Sequence, residues 1–138
     1  MDRSRVLLAD DHPRILSRLT DLLEPEFKVI AVVGDGQSLV EMAESLQPDL
    51  IITDISMPIL SGLEAAKKIV QSAPQTKIIF LTVHTNPDYV REALELRAVG
   101  YVFKSRLVSD LRLAISEVLE GRTYVSPPLV SYSVASQP

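Results

Sequence analysis

The sequence predicts an α/β domain with a doubly wound, five-stranded parallel sheet and five helices. Short apolar runs without strict alternation are typical of strands that are covered on both faces of a parallel sheet. Stretches with helical spacing of apolar residues lie between these runs, and turn-forming residues mark the junctions. Strands and helices that alternate in this way favour right-handed crossovers within one open sheet.

The predicted strands are the five apolar runs, at residues 6–9, 29–33, 50–52, 78–81 and 101–103. Each is followed by a stripe of apolar residues at helical spacing. The stripes comprise Ile15, Leu19, Leu22 and Leu23; Leu39, Met42, Ala43 and Leu46; Leu63, Ala66 and Val70; Val90, Ala93 and Leu94; and Leu107, Leu111, Ala114, Ile115 and Val118. The fourth stripe is the weakest, so we expect a short helix there, from about Asp88 to Arg97.

Composition limits the chain to one domain and excludes several functional classes. The 138 residues carry 18 acidic and 14 basic side chains, a formal charge of −4, so no broad cationic field is available for nucleic acid. The absence of Cys excludes disulfides and thiolate chemistry. The apolar run near the N-terminus is too short for a signal segment or a membrane span. We therefore expect a soluble cytoplasmic domain.

Polar residues follow the predicted strands at the points where the strands end. Strand one leads into Asp10-Asp11, strand three into Asp54, strand four into Thr82 and strand five into Lys104. Ligands of open α/β sheets bind beyond the carboxyl ends of the strands. These side chains are therefore expected at one edge of the sheet.

The predicted cluster has the chemistry of phosphoryl transfer. Three carboxylates repel one another unless a cation compensates them, and Mg²⁺ prefers oxygen ligands of this kind. A phosphoryl group beside Asp54 would then be contacted by Lys104 and the Thr82 hydroxyl. Asp54 would be the nucleophile that forms an acyl phosphate.

Taken together, these motifs resemble the receiver domain of two-component response regulators, of the NarL/LuxR type. The resemblance covers about residues 5–120 and rests on Asp10-Asp11, the segment 54–58 followed by Gly62, Thr82, and the segment 100–104. It implies the flavodoxin-like strand order 2-1-3-4-5. The protein would be a regulator that catalyses only its own phosphorylation and dephosphorylation.

The resemblance also implies a role for each site residue. Asp54 would accept phosphate from a phosphohistidine of a sensor histidine kinase. Asp10, Asp11 and the Ser56 carbonyl would bind Mg²⁺ together with Asp54, and Thr82 and Lys104 would contact the phosphoryl group. Tyr101 would be the aromatic switch residue, acting on a surface formed by the fourth helix, fifth strand and fifth helix.

Some positions depart from the common receiver pattern. Val83 is bulkier than the usual small residue after the threonine, and we expect it to narrow access to Asp54. His84 lies two residues beyond Thr82 and, with Ser56, is expected to tune attack of water on the acyl phosphate. His12 is expected only to begin the first helix. Ser105 stands where many receivers have Pro.

The C-terminal residues differ in composition from the rest. We divide the chain into a receiver at 1–121 and a linker or disordered tail at 122–138, with the DNA-binding effector domain of the subfamily absent. This chain would then bind neither nucleic acid nor membrane, whereas a full-length protein would bind DNA and regulate transcription. A homodimer is an open option, with four apolar residues expected to be exposed near the output surface: Leu96, Val99, Val108 and Leu113.

Alternative functions fit the sequence less well. A haloacid-dehalogenase-like phosphatase would place its nucleophile after strand one and a second Asp two residues later. A flavodoxin-like nucleotide binder needs a phosphate loop where this chain has acidic residues. A phosphorylation-independent docking module and a stand-alone single-domain regulator both remain open.

Overall fold

The computed structural model describes residues 3–83, 87–96 and 99–126. Within these residues the strands are β1 (Arg5–Ala9), β2 (Lys28–Val33), β3 (Leu50–Asp54), β4 (Lys77–Thr82), β5 (Val99–Phe103) and β6 (Tyr124–Val125). The helices are α1 (Pro13–Leu23), α2 (Gly36–Leu46), α3 (Gly62–Ser72), α4 (Pro87–Leu94) and α5 (Leu107–Leu119), and a 3₁₀ turn at Lys104–Arg106 joins β5 to α5.

The strands form one parallel sheet in the order β2-β1-β3-β4-β5-β6. The predicted order 2-1-3-4-5 is confirmed for the first five strands, but the prediction of only five strands is wrong. The sixth strand lies in the segment expected to be linker, and it pairs with β5 through Gly100–Tyr124 and Tyr101–Val125. A two-residue strand leaves no periodic apolar run, which is why sequence periodicity could not reveal it.

Two apolar layers cover the faces of the sheet, because side chains alternate along each strand. Leu7 and Ala9 of β1 point into the layer that α2, α3 and α4 cover, whereas Val6 and Leu8 point into the layer beneath α1 and α5. All four side chains are fully buried. Burial on both faces explains why the strands are continuous apolar runs in the sequence.

Two helices begin at residues that cap them. The Asp35 side chain accepts a hydrogen bond from the backbone N–H of Ser38 at the start of α2, and Ser61 accepts one from Glu64 at the start of α3. Such caps satisfy otherwise unpaired N–H groups and stabilise a helix by about 1 kcal/mol. They also fix the loops that enter these helices from the carboxyl ends of β2 and β3.

One expectation about the surface is wrong. Val99, expected to be exposed, is fully buried as the first residue of β5, while Val108 and Leu113 on α5 are exposed and Leu96 is half-buried.

Among the described residues, no helix combines the length and the apolar character that crossing a membrane requires.

Candidate functional site

The carboxyl ends of the central strands bring the predicted site residues to one edge. Asp10 follows β1, Asp54 is the last residue of β3, Thr82 is the last residue of β4, and Lys104 follows β5. Since β1 pairs with β3, β3 with β4 and β4 with β5, the four ends are neighbours in space. Parallel pairing alone therefore gathers residues that are distant in the sequence.

Lys104 lies between two of the carboxylates. Its Nζ is 2.8 Å from Oδ2 of Asp10 and 3.1 Å from Oδ2 of Asp54. The Lys104 side chain is 8% exposed and that of Asp10 is fully buried, so both ion pairs are shielded from water. One ammonium group thus holds together two carboxylates that would otherwise repel each other.

The pKa values reflect this balance of burial and charge. Burial raises the pKa of Asp54 and the negative charge of Asp10 adds to the rise, while Lys104 opposes it. Burial alone would lower the pKa of Lys104, but its hydrogen bonds and ion pairs with Asp10 and Asp54 outweigh burial and raise it. The ammonium is therefore held in its charged form, whereas ionised Asp54 is disfavoured in this site.

Four side chains at this edge form a cluster that fits a cation. Asp10, Asp11, His12 and Asp54 each offer a ligand atom, and these atoms all lie within 4.8 Å of one another. Carboxylate oxygens are the donors that hard divalent cations such as Mg²⁺ prefer. The exposure of Asp11 beside two buried aspartates leaves the cluster open to solvent on one side.

His12 belongs to this cluster, although its predicted role was only to begin α1. It is the N-cap residue of α1, as expected, but its side chain caps nothing. Its Nδ1 instead lies 2.9 Å from Oδ1 of Asp10 and 3.2 Å from Oδ1 of Asp11. Its place directly after the two aspartates was the signal that could have revealed this contact.

The loop between β3 and α3 closes over Asp54. The backbone N–H of Ser56 lies 3.4 Å from Oδ1 of Asp54, and the N–H of Gly62 donates to the carbonyl oxygen of Ile55 at 2.7 Å. A Cβ at position 62 would lie only 1.8 Å from the Asp54 carbonyl oxygen. Glycine is therefore required there for the chain to return so close to Asp54.

The predicted switch residues lie on neighbouring strands. Thr82 is 2% exposed at the end of β4, and Tyr101 is fully buried on β5 against Phe80, with 6.4 Å between their ring centroids. Val83, directly after β4, is 66% exposed. His84 lies outside the described residues.

Comparison with known proteins gives one consistent group of relatives. A sequence model of the response regulator receiver domain matches residues 6–116. The transcriptional regulatory protein DegU of Brevibacillus brevis is 34% identical over 128 residues, covering 91% of this chain and 54% of DegU. The response regulator UvrY of Escherichia coli K12 is 34% identical over 135 residues, covering 96% of this chain and 62% of UvrY. The chain thus spans less than two thirds of these relatives.

Solved structures resemble the fold over almost the whole chain. A LuxR-family two-component response regulator from Aurantimonas sp. SI85-9A1 superposes with a TM-score of 0.90 at 29% identity, covering 97% of each chain. The isolated REC domain of RcsB from Salmonella enterica serovar Typhimurium, solved with the phosphomimetic BeF3-, gives 0.83 at 30% identity, with 96% and 99% covered. A structure of two RcsB dimers bound to two parallel DNAs gives 0.85 at 27% identity, covering 96% of this chain and 69% of RcsB.

Proposed function

Because the chain belongs to the response regulator receiver family, we propose that it is a switch operated by phosphorylation of Asp54. The observation that carries this proposal is the pair of buried contacts from Lys104 to Asp10 and Asp54 at the carboxyl edge of the sheet. This arrangement brings together the Asp54 carboxylate as nucleophile, the Lys104 ammonium group and a cluster of further carboxylates.

In the proposed reaction, a carboxylate oxygen of Asp54 attacks the phosphorus of a phosphohistidine on a sensor histidine kinase. The new O–P bond forms as the N–P bond breaks, and the imidazole of the kinase leaves. Asp10, Asp11, Asp54 and the Ser56 carbonyl would hold Mg²⁺, which when bound would neutralise phosphoryl oxygens. Lys104 and the Thr82 hydroxyl would contact the remaining oxygens.

The raised pKa of Asp54 supports a role for added positive charge. Ionised Asp54 is disfavoured by burial and by Asp10, so a divalent cation beside it would stabilise the nucleophilic carboxylate. Once Asp54 is converted to the acyl phosphate, the phosphoryl group brings a larger negative charge than the carboxylate had, and Lys104 would pair with its oxygens.

The switch is proposed to join Thr82 to Tyr101. A phosphoryl group on Asp54 would attract the Thr82 hydroxyl and change the packing between β4 and β5. Movement of Thr82 toward the phosphoryl group would vacate space behind it, which would favour the inward position of Tyr101. The Tyr101 ring is fully buried in this structure, and it would turn outward in the other state. The surface of α4, β5 and α5 would carry the change to a partner.

Three residues are proposed to set the rates. Exposed Ser56 lies two residues after Asp54, and exposed Val83 follows the neighbouring strand β4. Together with His84 they would control how water and phosphodonors reach the acyl phosphate.

The kinase domain that would phosphorylate this chain acts inside the cell, so we also propose that the protein is cytoplasmic.

The output is proposed to be transcription. DegU is a transcriptional regulatory protein and RcsB dimers bind DNA, while this chain spans only part of such relatives. We place a receiver at 1–121 and a connecting segment at 122–138, the first part of which, β6 and Ser126, packs onto the receiver. DNA would be bound by another part of a full-length protein. This chain, with its formal charge of −4, would bind the kinase and a second receiver instead of nucleic acid.

The test is the uptake of phosphate. Incubation of the protein with Mg²⁺ and acetyl phosphate should add the mass of one phosphoryl group, localised to Asp54 by mass spectrometry and lost on hydroxylamine treatment. Asp54→Asn should abolish uptake, whereas the control Asp21→Asn, an exposed position on α1, should retain it. Absence of uptake from both acetyl phosphate and a phosphorylated kinase would favour a docking module that works without phosphorylation.

A further inference from the structure

The start of α2 touches the loop that follows Asp54. Gly36 is the first residue of α2 and is buried. A Cβ at this position would lie 2.0 Å from the carbonyl oxygen of Leu60, 2.6 Å from its carbonyl carbon and 2.9 Å from its Cβ. Such distances are far below any van der Waals contact, so the backbone of Leu60 rests directly on the Gly36 Cα.

Neither side of this contact can yield by rotating a side chain. On the α2 side, Asp35 fixes the first turn through its hydrogen bonds to the N–H of Ser38 at 2.7 Å and the Ser38 hydroxyl at 3.0 Å. On the loop side the closest atoms are backbone atoms, and the N–H of Leu60 donates to the carbonyl oxygen of Pro58 at 2.7 Å. Any larger residue at position 36 would therefore displace the loop itself.

The loop already has a constrained backbone. Ile59 has a φ of 71°, in the left-handed region that a β-branched residue rarely adopts. Its side chain is 82% exposed, so burial of that side chain does not hold it there. The Gly36–Leu60 contact on one side and the return to Asp54 at Gly62 on the other constrain the backbone of the loop, and the Met57 and Leu60 side chains pack against the core.

We infer that Gly36 is a positioning residue for the cation site, acting through the loop of residues 55–61. This inference rests on the proposed function, in which the Ser56 carbonyl and Asp54 hold Mg²⁺. Gly36 lets the loop approach α2 closely. The distance between the loop and α2 determines where the Ser56 carbonyl lies relative to the carboxylates. Replacement of groups that hydrogen-bond to metal ligands typically changes metal affinity by about 10–100-fold, and we expect displacement of the Ser56 carbonyl to have an effect at the lower end of that range.

The experiment measures Mg²⁺ binding by isothermal titration calorimetry in matched variants. Gly36→Ala should weaken Mg²⁺ binding by about 10-fold or more. The control is Gly34→Ala, two residues earlier, where a Cβ would meet only the Asp10 carbonyl oxygen at an ordinary 3.8 Å. Its Mg²⁺ affinity should equal that of the unaltered protein. Equal affinity in Gly36→Ala and Gly34→Ala would overturn the inference.

Two further measurements keep the test decisive. Melting temperatures in EDTA show whether Gly36→Ala is folded, which separates a local change at the site from general unfolding. Ile59→Gly removes the strain of the left-handed backbone at residue 59 without removing a buried contact, so this variant should fold and bind Mg²⁺ as the unaltered protein does. Weakened binding in Ile59→Gly would show that the backbone at Ile59, and not the contact with Gly36, determines where the loop lies, which would contradict the inference. If the unaltered protein itself bound no Mg²⁺, the proposed function would fail instead.

Discussion

Lys104 is the side chain on which the charge balance of the site depends. It pairs with Asp10 and Asp54 in surroundings where water contributes little screening. Breaking a buried ion pair by removing one partner costs more than the pair contributes, because an uncompensated charge is left behind. Here two carboxylates would be left facing each other.

Replacement of Lys104 by methionine is therefore expected to lower the free energy of unfolding by about 3–5 kcal/mol in the absence of divalent cations. Added Mg²⁺ should restore part of the loss, because a ligand that binds only the folded state stabilises it. Urea unfolding with EDTA and with Mg²⁺ measures both effects. Lys28→Met, at an exposed position on β2, is the control, and an equally small change in the two variants would contradict this account.

Individual residues differ in how far the sequence reveals them. Asp10, Asp54 and Lys104 come together as expected, because apolar runs identify the strands and parallel strands end at the same edge. His12 and Gly36 were missed as parts of the site. The His12 ring turns back onto the preceding carboxylates, and Gly36 acts through an approach of two backbones, neither of which has a periodic signal.

At the scale of elements, a buried polar network fastens β6 to the rest of the fold. The Ser126 hydroxyl donates to Oδ2 of Asp110 on α5 at 2.8 Å and accepts from the N–H of Phe103 at 3.2 Å, and the N–H of Ser126 donates to the Tyr101 carbonyl at 2.9 Å. Arg106 binds the same aspartate with two nitrogens. These side-chain contacts, and not apolar periodicity, determine where the short strand lies. The apolar patterns of the sequence therefore predicted the first five strands and missed β6.

The pH dependence of stability should reveal this network. Burial alone would raise the pKa of Asp110, but hydrogen bonds from Arg106, Ser126 and Ser109 outweigh it and hold the pKa below the ordinary 3.8. The ionised carboxylate therefore stabilises the folded state above that value, and the contribution is lost as pH falls through the folded-state pKa. Asp110→Asn should be less stable at neutral pH.

The measurement is urea unfolding of Asp110→Asn and the unaltered protein over a series of pH values. The difference in unfolding free energy should be constant at neutral pH and should shrink only below 3.8, as the native carboxylate becomes protonated. Asp21→Asn, at an exposed position on α1, controls for the loss of a surface charge. A difference that persisted unchanged into acid would show that ionisation of Asp110 does not stabilise the fold.

At the scale of the whole molecule, exposed apolar side chains lie in two separate places, on α5 and on the edge strand β2. The α5 side carries exposed Val108 and Leu113, 68% and 53% exposed, whereas β2 at the opposite edge carries Val32 at 50%. The predicted exposure is confirmed for Val108 and Leu113 of α5, whereas Leu96 is half-buried. The prediction erred at Val99, because β5 is covered on both faces and its first residue is inside.

We expect phosphorylation to favour a homodimer through the α5 side. Light scattering after size-exclusion chromatography should show a dimer when Asp54 carries beryllofluoride, and Leu113→Asp should keep the protein monomeric while phosphate uptake is unchanged. The matched control is Val32→Asp, an apolar-to-acidic change at the other edge. The dimer surface on α5 would be excluded if the unaltered protein stayed monomeric with beryllofluoride bound, or if Val32→Asp disrupted the dimer as much as Leu113→Asp.

The parallel direction of β6 has a consequence for the path of the chain. Helix α5 carries the chain from the edge that holds Asp54 and Lys104 to the far end of the molecule. Because β6 runs parallel to β5, it brings the chain back, and Ser126 returns to the edge from which α5 departed. Ser126 therefore lies on the same side of the molecule as the acidic cluster. A domain attached after Ser126 would be tethered beside Phe103, the residue before Lys104, and not across the width of the domain from the acidic cluster.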